Sequence, residues 1–181
     1  MVSVLKEKAF IRLLFSKTSF TVFTVLGIGL LYIVFMSVID HKWFPFPYII
    51  LGLAFFKTIV ISTMTLKQLT KMVNICHSFE DLLWIFGLLI MVSLLSFSTD
   101  YTCLYQFDNQ SFEGIPAYSD TYVYNLFHFF YFSVITFSTI GYGDIIPTSD
   151  VSRFIVLLET FLSFFIIVFA LANIKKIHIN K

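Results

Sequence analysis

Four apolar runs limit what this chain can become. Residues 20–39 and 82–97 carry no charge at all, 47–66 carries only Lys57, and 151–172 only Arg153 and Glu159. A helix rises about 1.5 Å per residue, so roughly 20 residues cross a hydrocarbon layer about 30 Å thick. Three of the runs reach that length directly, and 82–97 reaches it by adding Ser98 and Thr99. The 181 residues are 58% hydrophobic and 13% charged, against roughly 25% charged in a soluble domain. One aqueous core cannot hide so much apolar surface. The expected class is an all-α membrane protein with four transmembrane helices. A fifth aromatic-rich segment, 125–137, is too short to span, and no soluble core remains to receive it. It fits a segment that enters the membrane and turns back.

Charge placement orients the spans. Lys6, Lys8, Arg12 and Lys17 precede the first, Lys67 and Lys71 follow the second, and Lys175, Lys176 and Lys181 follow the fourth. The stretch 100–121 holds Asp100, Asp108, Glu113 and Asp120 with no lysine or arginine. Positive charge stays inside, so both termini are expected in the cytoplasm of a multi-pass plasma-membrane protein, with the acidic loop outside. The first run is a full span with no small-residue cleavage site after it, unlike a cleaved signal peptide. Residues 1–19 alternate basic and apolar groups, which suits either a helix lying at the inner membrane surface or a charged flank anchoring the first span. Cys76 and Cys103 fall on opposite membrane faces and cannot bridge within one chain. Cys103 is either a plain thiol or a link between subunits.

Residues 136–147 read TFSTIGYGDIIP. Glycine adopts backbone conformations that a side chain forbids, and Gly141 and Gly143 flank Tyr142 in a way that frees carbonyls to point unusually. Irregular backbone at membrane depth survives only inside protein or beside water. Asn125 is a candidate N-cap for a short helix ending at Phe137. Its partly negative C-terminal end would aim into the membrane, and the carbonyl-lined ribbon after it offers oxygen ligands to a cation shedding water.

Thr-Ile-Gly-Tyr-Gly-Asp at 139–144 is similar to the signature of potassium channels, with Ile140 for the usual valine. Thr136 and Ser138 match the threonine-rich end of the family's pore helix, and Pro147 and Arg153 match its entry into the inner helix. The likeness covers about residues 122–172, and the whole resembles a small prokaryotic potassium channel with four spans and one pore loop per chain. It implies a homotetramer in the lipid bilayer in which Thr139, Ile140, Gly141 and Tyr142, followed by Gly143, form a filter that replaces the hydration shell of K⁺. Asp144 would ring the outer mouth. The implied organisation is an N-terminal segment 1–19, two peripheral helices within 20–80, and a pore domain 81–174. That domain would hold an outer helix 81–99, a loop 100–121, a pore helix 122–138, a filter 139–144 and an inner helix 151–173, ahead of a short tail 175–181.

The departures are specific. The aromatic pair that braces the filter, commonly two tryptophans, reads Tyr131–Phe132. Tyr131 can still bond Asp144, whereas Phe132 has no group to offer Tyr142. Ile135 stands where some relatives place a glutamate. The last span lacks glycine, and Ser163 occupies the usual hinge site. Lys57 and Glu159 lie inside spans, where charge is costly. They form a pair; or Glu159 sits behind the pore helix on a Ser or Thr hydroxyl; or one of them senses protons. One lysine within three spans makes no voltage sensor, and His128 is either a packing residue or a pH sensor. No nucleophile stands beside a base, and no metal cluster or phosphate loop is present, which argues against an enzyme, an organic cofactor or nucleic acid. A poorly selective cation channel and a non-conducting membrane scaffold are the competing expectations.

Overall fold

The computed structural model describes residues 46–73, 79–116 and 121–179, with Phe23 and Gly27 apart from these segments. The first predicted span, the N-terminal segment and Cys76 lie outside the described residues. Among the described residues, four helices carry the fold: α1 (Phe46–Val73), α2 (Phe79–Phe107), α3 (Tyr122–Phe137) and α4 (Asp150–Ile179). Between α2 and α3 stand a 3₁₀ turn (Asn109–Ser111) and the short strand β1 (Phe112–Glu113), and β2 (Ile146–Pro147) precedes α4. Windows of α1, α2 and α4 are long and apolar enough to cross a membrane, namely Phe46–Thr63, Phe86–Phe107 and Asp150–Ala172. The chain is an all-α membrane protein.

α2 is the central post, touching α1, α3 and α4. Its C-terminal half is hidden on nearly every side, with Ser96, Phe97, Ser98, Asp100, Tyr101, Thr102, Cys103 and Leu104 all buried. Buried hydroxyls at membrane depth need acceptors, and helix backbones supply several of them. Thr102 donates to the Ser98 carbonyl at 2.7 Å and Thr99 to Ser96 at 2.6 Å. On α1, Thr58 donates to Ala54 at 2.8 Å.

α3 runs antiparallel to α2, and three contacts measure its descent. Tyr122 stands beside Cys103, Ser98 Oγ donates to the Leu126 carbonyl at 2.9 Å, and Ser133 Oγ lies 3.2 Å from the Leu94 carbonyl. Leu94 is near the middle of the Phe86–Phe107 span, so the C-terminal end of α3 stops at mid-membrane depth. The chain then climbs back. Thr148 N donates to the Ser111 carbonyl at 3.0 Å, and β1 pairs antiparallel with β2 in the register Phe112↔Pro147 and Glu113↔Ile146. Ser149 caps α4, its Oγ accepting from Ser152 N at 3.1 Å, with Asp150 in the first turn, where a negative charge suits the helix dipole.

Several boundaries differ from the sequence expectation. The outer helix runs Phe79–Phe107 rather than 81–99, and the last helix runs Asp150–Ile179 rather than 151–173. The N-cap of α3 is Thr121, without a side-chain cap bond, while Asn125 is buried one turn inside. Hydropathy alone ended α2 too early because Asp100 reads as the start of a polar loop. Inside the helix that carboxylate has a cation: Lys57 Nζ lies 2.5 Å from Asp100 Oδ1 and donates to the Ser96 carbonyl at 3.3 Å. The expected pairing of Lys57 with Glu159 is therefore not formed. One helical position decides this, because Lys57 on α1 faces the flank of α2 that carries Ser96 and Asp100.

Removing one partner of a buried ion pair typically costs about 3–5 kcal/mol, whereas replacing both with apolar residues is often neutral. Lys57→Met and Asp100→Leu should each lower the thermal unfolding midpoint sharply, with the double variant recovering most of the loss. Lys57→Met combined with Glu159→Gln should give additive losses.

Candidate functional site

The site begins where α3 ends. Ser138 closes the helix, its N–H bonding to the Val134 carbonyl at 3.0 Å and its Oγ to the same carbonyl at 2.6 Å. Thr139 N then reaches the Thr136 carbonyl at 3.0 Å, and Ile140 N the Ile135 carbonyl at 2.9 Å, with Gly141 N sharing that oxygen at 3.4 Å. Thr136 and Ile135 thus hold the ribbon through their backbones.

The ribbon 139–143 is neither helix nor strand. Thr139 has φ +58°, Gly141 +58° and Gly143 +75°, while Ile140 and Tyr142 stay on the negative side. A strand turns successive carbonyls to opposite sides, whereas a ribbon alternating between left- and right-handed basins turns them to one side. Glycine enters the left-handed region without steric cost. For β-branched Thr139 the same φ is an outlier costing about 1–3 kcal/mol, and such strain gathers at functional sites.

The ribbon's other face is bare. Thr139, Ile140, Gly141, Tyr142, Gly143 and Asp144 are all exposed, with Ile140 at 54% and Tyr142 at 69%. A methyl placed on Gly141 or Gly143 would meet nothing within 4 Å. Below it, α4 presents Phe154, Leu157, Phe161, Phe164, Val168 and Leu171 uncovered. Their alternating spacing of three and four is the seam pattern of associating helices.

Two supports flank the ribbon. Tyr131 on α3 stands beside Asp144, near enough for the two side chains to interact. Phe132 turns away from Tyr142 and is buried, its ring 5.3 Å from that of Tyr101 and 5.9 Å from that of Phe112. Phe129 closes the cluster, 4.9 Å edge-on to Phe112. Edge-to-face packing of this kind is worth roughly 0.5–1.5 kcal/mol per pair beyond burial, and it ties β1 to α2 and α3.

Sequence reasoning missed Gly114. It has φ +90°, and a Cβ there would lie 1.8 Å from the Asp144 carbonyl oxygen. The loop after α2 therefore rests its backbone directly on the outer end of the ribbon, and only glycine permits that approach. Its signal in the sequence was an isolated glycine in an acidic loop, with nothing to show what it meets.

The remaining candidates are placed as follows. Ser163 is buried and bonds the Thr160 carbonyl at 2.8 Å inside an unbroken α4. His128 packs its ring edge-on to Tyr124 at 4.5 Å. Cys103 is a free thiol, buried within its own chain at 1% exposure. Glu159 is buried against α3, its carboxylate accepting from Ser133 Oγ and from the Tyr101 hydroxyl at 2.6 Å. Among the described residues, no cluster of His, Cys, Asp or Glu could hold a metal ion.

The family model described as ion channel matches residues 82–179, over half the chain. The chain belongs to this ion channel family. Residues 82–179 take in the ribbon and the three helices α2, α3 and α4 around it, so membership coincides with the built part of the site and sets the chain among ion transporters rather than enzymes. Over 80 residues it is 40% identical to two-pore potassium channel 4 of Arabidopsis thaliana, a match covering 42% of this chain and 26% of that protein. Over 40 residues it is 52% identical to potassium channel K2 of Plasmodium berghei (strain Anka), covering 22% of this chain and 3% of that one. The chain thus spans about a quarter or less of these relatives' lengths. No solved structure matches it.

Because the ion channel's outer ribbon leans on Gly114, Gly114→Ala should cost about 1–3 kcal/mol through backbone strain and displacement of Asp144. Glu113→Ala, at an exposed neighbour, should stay within about 0.5 kcal/mol. Thermal unfolding in detergent distinguishes the two.

Proposed function

We propose that four copies of this chain surround one axis and form a potassium-selective pore, with K⁺ as the permeant ion and no organic cofactor. One observation carries the reading: a polar peptide ribbon with every second φ left-handed leaves α3 at mid-membrane depth, and its own chain leaves it uncovered. Lipid cannot solvate such backbone, so the uncovered face needs protein copies or a watery path. A ring of copies supplies both. Carbonyls of Thr139, Ile140, Gly141 and Tyr142 from four chains then replace water around K⁺. The C-terminal end of α3 points its partial negative charge toward the ion below them.

The other parts take roles consistent with this. Asp144, held by Tyr131, forms an acidic ring that concentrates cations at the outer mouth. The exposed stripe of α4 lines the inner passage and meets neighbouring copies. Ser163 sits at the level where this helix would bend. The membrane is the plasma membrane, with the basic termini in the cytoplasm and the acidic loop outside. The names of the two relatives, both potassium channels, support K⁺ as the ion.

A second reading has its own observation. Phe132 lies in the aromatic cluster with Tyr101 and Phe112 and gives Tyr142 no hydrogen bond, which favours a looser filter that admits Na⁺.

Purified protein in liposomes under a K⁺/Na⁺ gradient tests both. A reversal potential following K⁺ supports the first reading, and one indifferent to K⁺/Na⁺ exchange supports the second. Absence of flux in any gradient leaves a non-conducting scaffold. Gly141→Ala or Gly143→Ala should reduce K⁺ flux by about tenfold or more, because a side chain at positive φ costs upward of 1 kcal/mol per copy.

A further inference from the structure

The aromatic and acidic braces expected around the filter are incomplete in this chain: the Phe132 ring packs on Tyr101 and Phe112, and the Ile135 side chain has no oxygen to accept a hydrogen bond. A different group stands behind α3. Glu159 on α4 is 1% exposed, and both of its carboxylate oxygens are occupied. Ser133 Oγ donates to Oε1, and the Tyr101 hydroxyl donates to Oε2 at 2.6 Å. Tyr101 belongs to α2, Ser133 to α3 and Glu159 to α4, so one carboxylate joins all three helices of the pore half.

Its place along α3 gives the contact a consequence. Ser133 lies two residues before Ile135, whose carbonyl receives the N–H groups of Ile140 and Gly141. Rotation or sliding of α3 at Ser133 would therefore move the anchor of the ribbon. Ser133 Oγ also lies 3.2 Å from the Leu94 carbonyl, and a hydroxyl has one proton to give. If Glu159 stopped accepting it, the serine would swing to α2 and release α3 from α4. Lys57 does not compete for the carboxylate, because it is held by Asp100.

We propose that Glu159 is a positioning residue for the ribbon: by bridging Tyr101 and Ser133 it holds α3 at the height and rotation that present the Ile135 carbonyl to Ile140 and Gly141, and so sets ion discrimination. This rests on the potassium-pore reading above.

The test uses the full chain reconstituted in liposomes, comparing wild type with Glu159→Gln, Glu159→Leu, Ser133→Ala and Tyr101→Phe. The readouts are the K⁺/Na⁺ permeability ratio from reversal potentials, the tetramer fraction and the unfolding midpoint. Glu159→Leu tetramers should lose about tenfold or more in permeability ratio, and Ser133→Ala about three- to tenfold, the scale of one ordinary hydrogen bond. Glu159→Gln keeps an acceptor and the side-chain size and should stay within about threefold of wild type. Tyr101→Phe keeps the Ser133 arm and should fall between Glu159→Gln and Glu159→Leu. A merely structural glutamate would lower the midpoint and tetramer fraction while leaving the ratio of surviving tetramers unchanged, and that result overturns the proposal. Should Glu159→Leu not assemble, Ser133→Ala decides alone, since it removes one oxygen and leaves no large cavity. A wild type that discriminates K⁺ beside variants that do so equally well sinks this inference only, while a wild type without K⁺ selectivity sinks the pore reading and the inference together.

Discussion

A polar backbone must not be left bare in hydrocarbon, and among the described residues the fold is arranged around a ribbon where a single chain breaks that rule. α1, α2 and α4 satisfy their peptide groups internally, and hydroxyls such as Thr102, Ser152 and Ser163 bond back to carbonyls within their own helix or its cap. Only after Ser138 does the chain abandon regular structure at mid-membrane depth. There the Thr136 and Ile135 carbonyls satisfy the N–H groups of Thr139, Ile140 and Gly141, which fixes the start of the ribbon. Among the described residues, its exposed face has nothing comparable.

Two buried carboxylates divide the remaining work. Asp100 and Glu159 are both almost fully buried, and each would be expensive without partners. Asp100 meets the ammonium of Lys57 and so joins α1 to α2. Glu159 meets only hydroxyls and joins α4 to α2 and α3. Since Asp100 and Tyr101 are neighbours on α2, the two clasps lie back to back on one post. The peripheral helix is thereby attached within one residue of the group that reaches behind the ribbon.

How much of this was legible depends on the range of the forces involved. Hydropathy found the three spans that lie among the described residues, because membrane thickness sets a length that single residues cannot disguise. The glycine spacing at 141–143 found the ribbon, because positive φ has a compositional signature. The third left-handed residue was invisible, since Thr139 is forced there by bonds from the end of α3 rather than by its own preference. The partner of Lys57 could not be read either: Asp100 and Glu159 were both within reach of plausible helix packings, and hydropathy counted Asp100 as loop. Asn125 looked like a cap because an asparagine before an apolar run is one, yet α3 starts a turn earlier and buries it. Gly114 was hidden for a related reason. Its role is a backbone contact some 30 positions away in sequence, in the ordinary range where local pattern says nothing about tertiary meeting points.

The positions of these missed residues bear on how such a ribbon can be held with few of its usual supports. A flexible peptide is fixed best by constraints at its two ends, because end constraints remove the sliding and rotation that side-on contacts only resist. At the inner end Ile135 binds the ribbon, and Ser133, two residues earlier, is fastened to Glu159. At the outer end the Asp144 backbone is pressed by Gly114, which the β1–β2 pairing and the Thr148–Ser111 bond hold in place, while Tyr131 stands beside the Asp144 side chain. Phe132 contributes indirectly, by packing Tyr101 and Phe112 together. Tyr101 bonds Glu159 at the inner support and Phe112 adjoins Gly114's strand at the outer one. The same aromatic cluster therefore stiffens both ends, and a phenylalanine with no hydrogen bond to give can still serve the ribbon from behind.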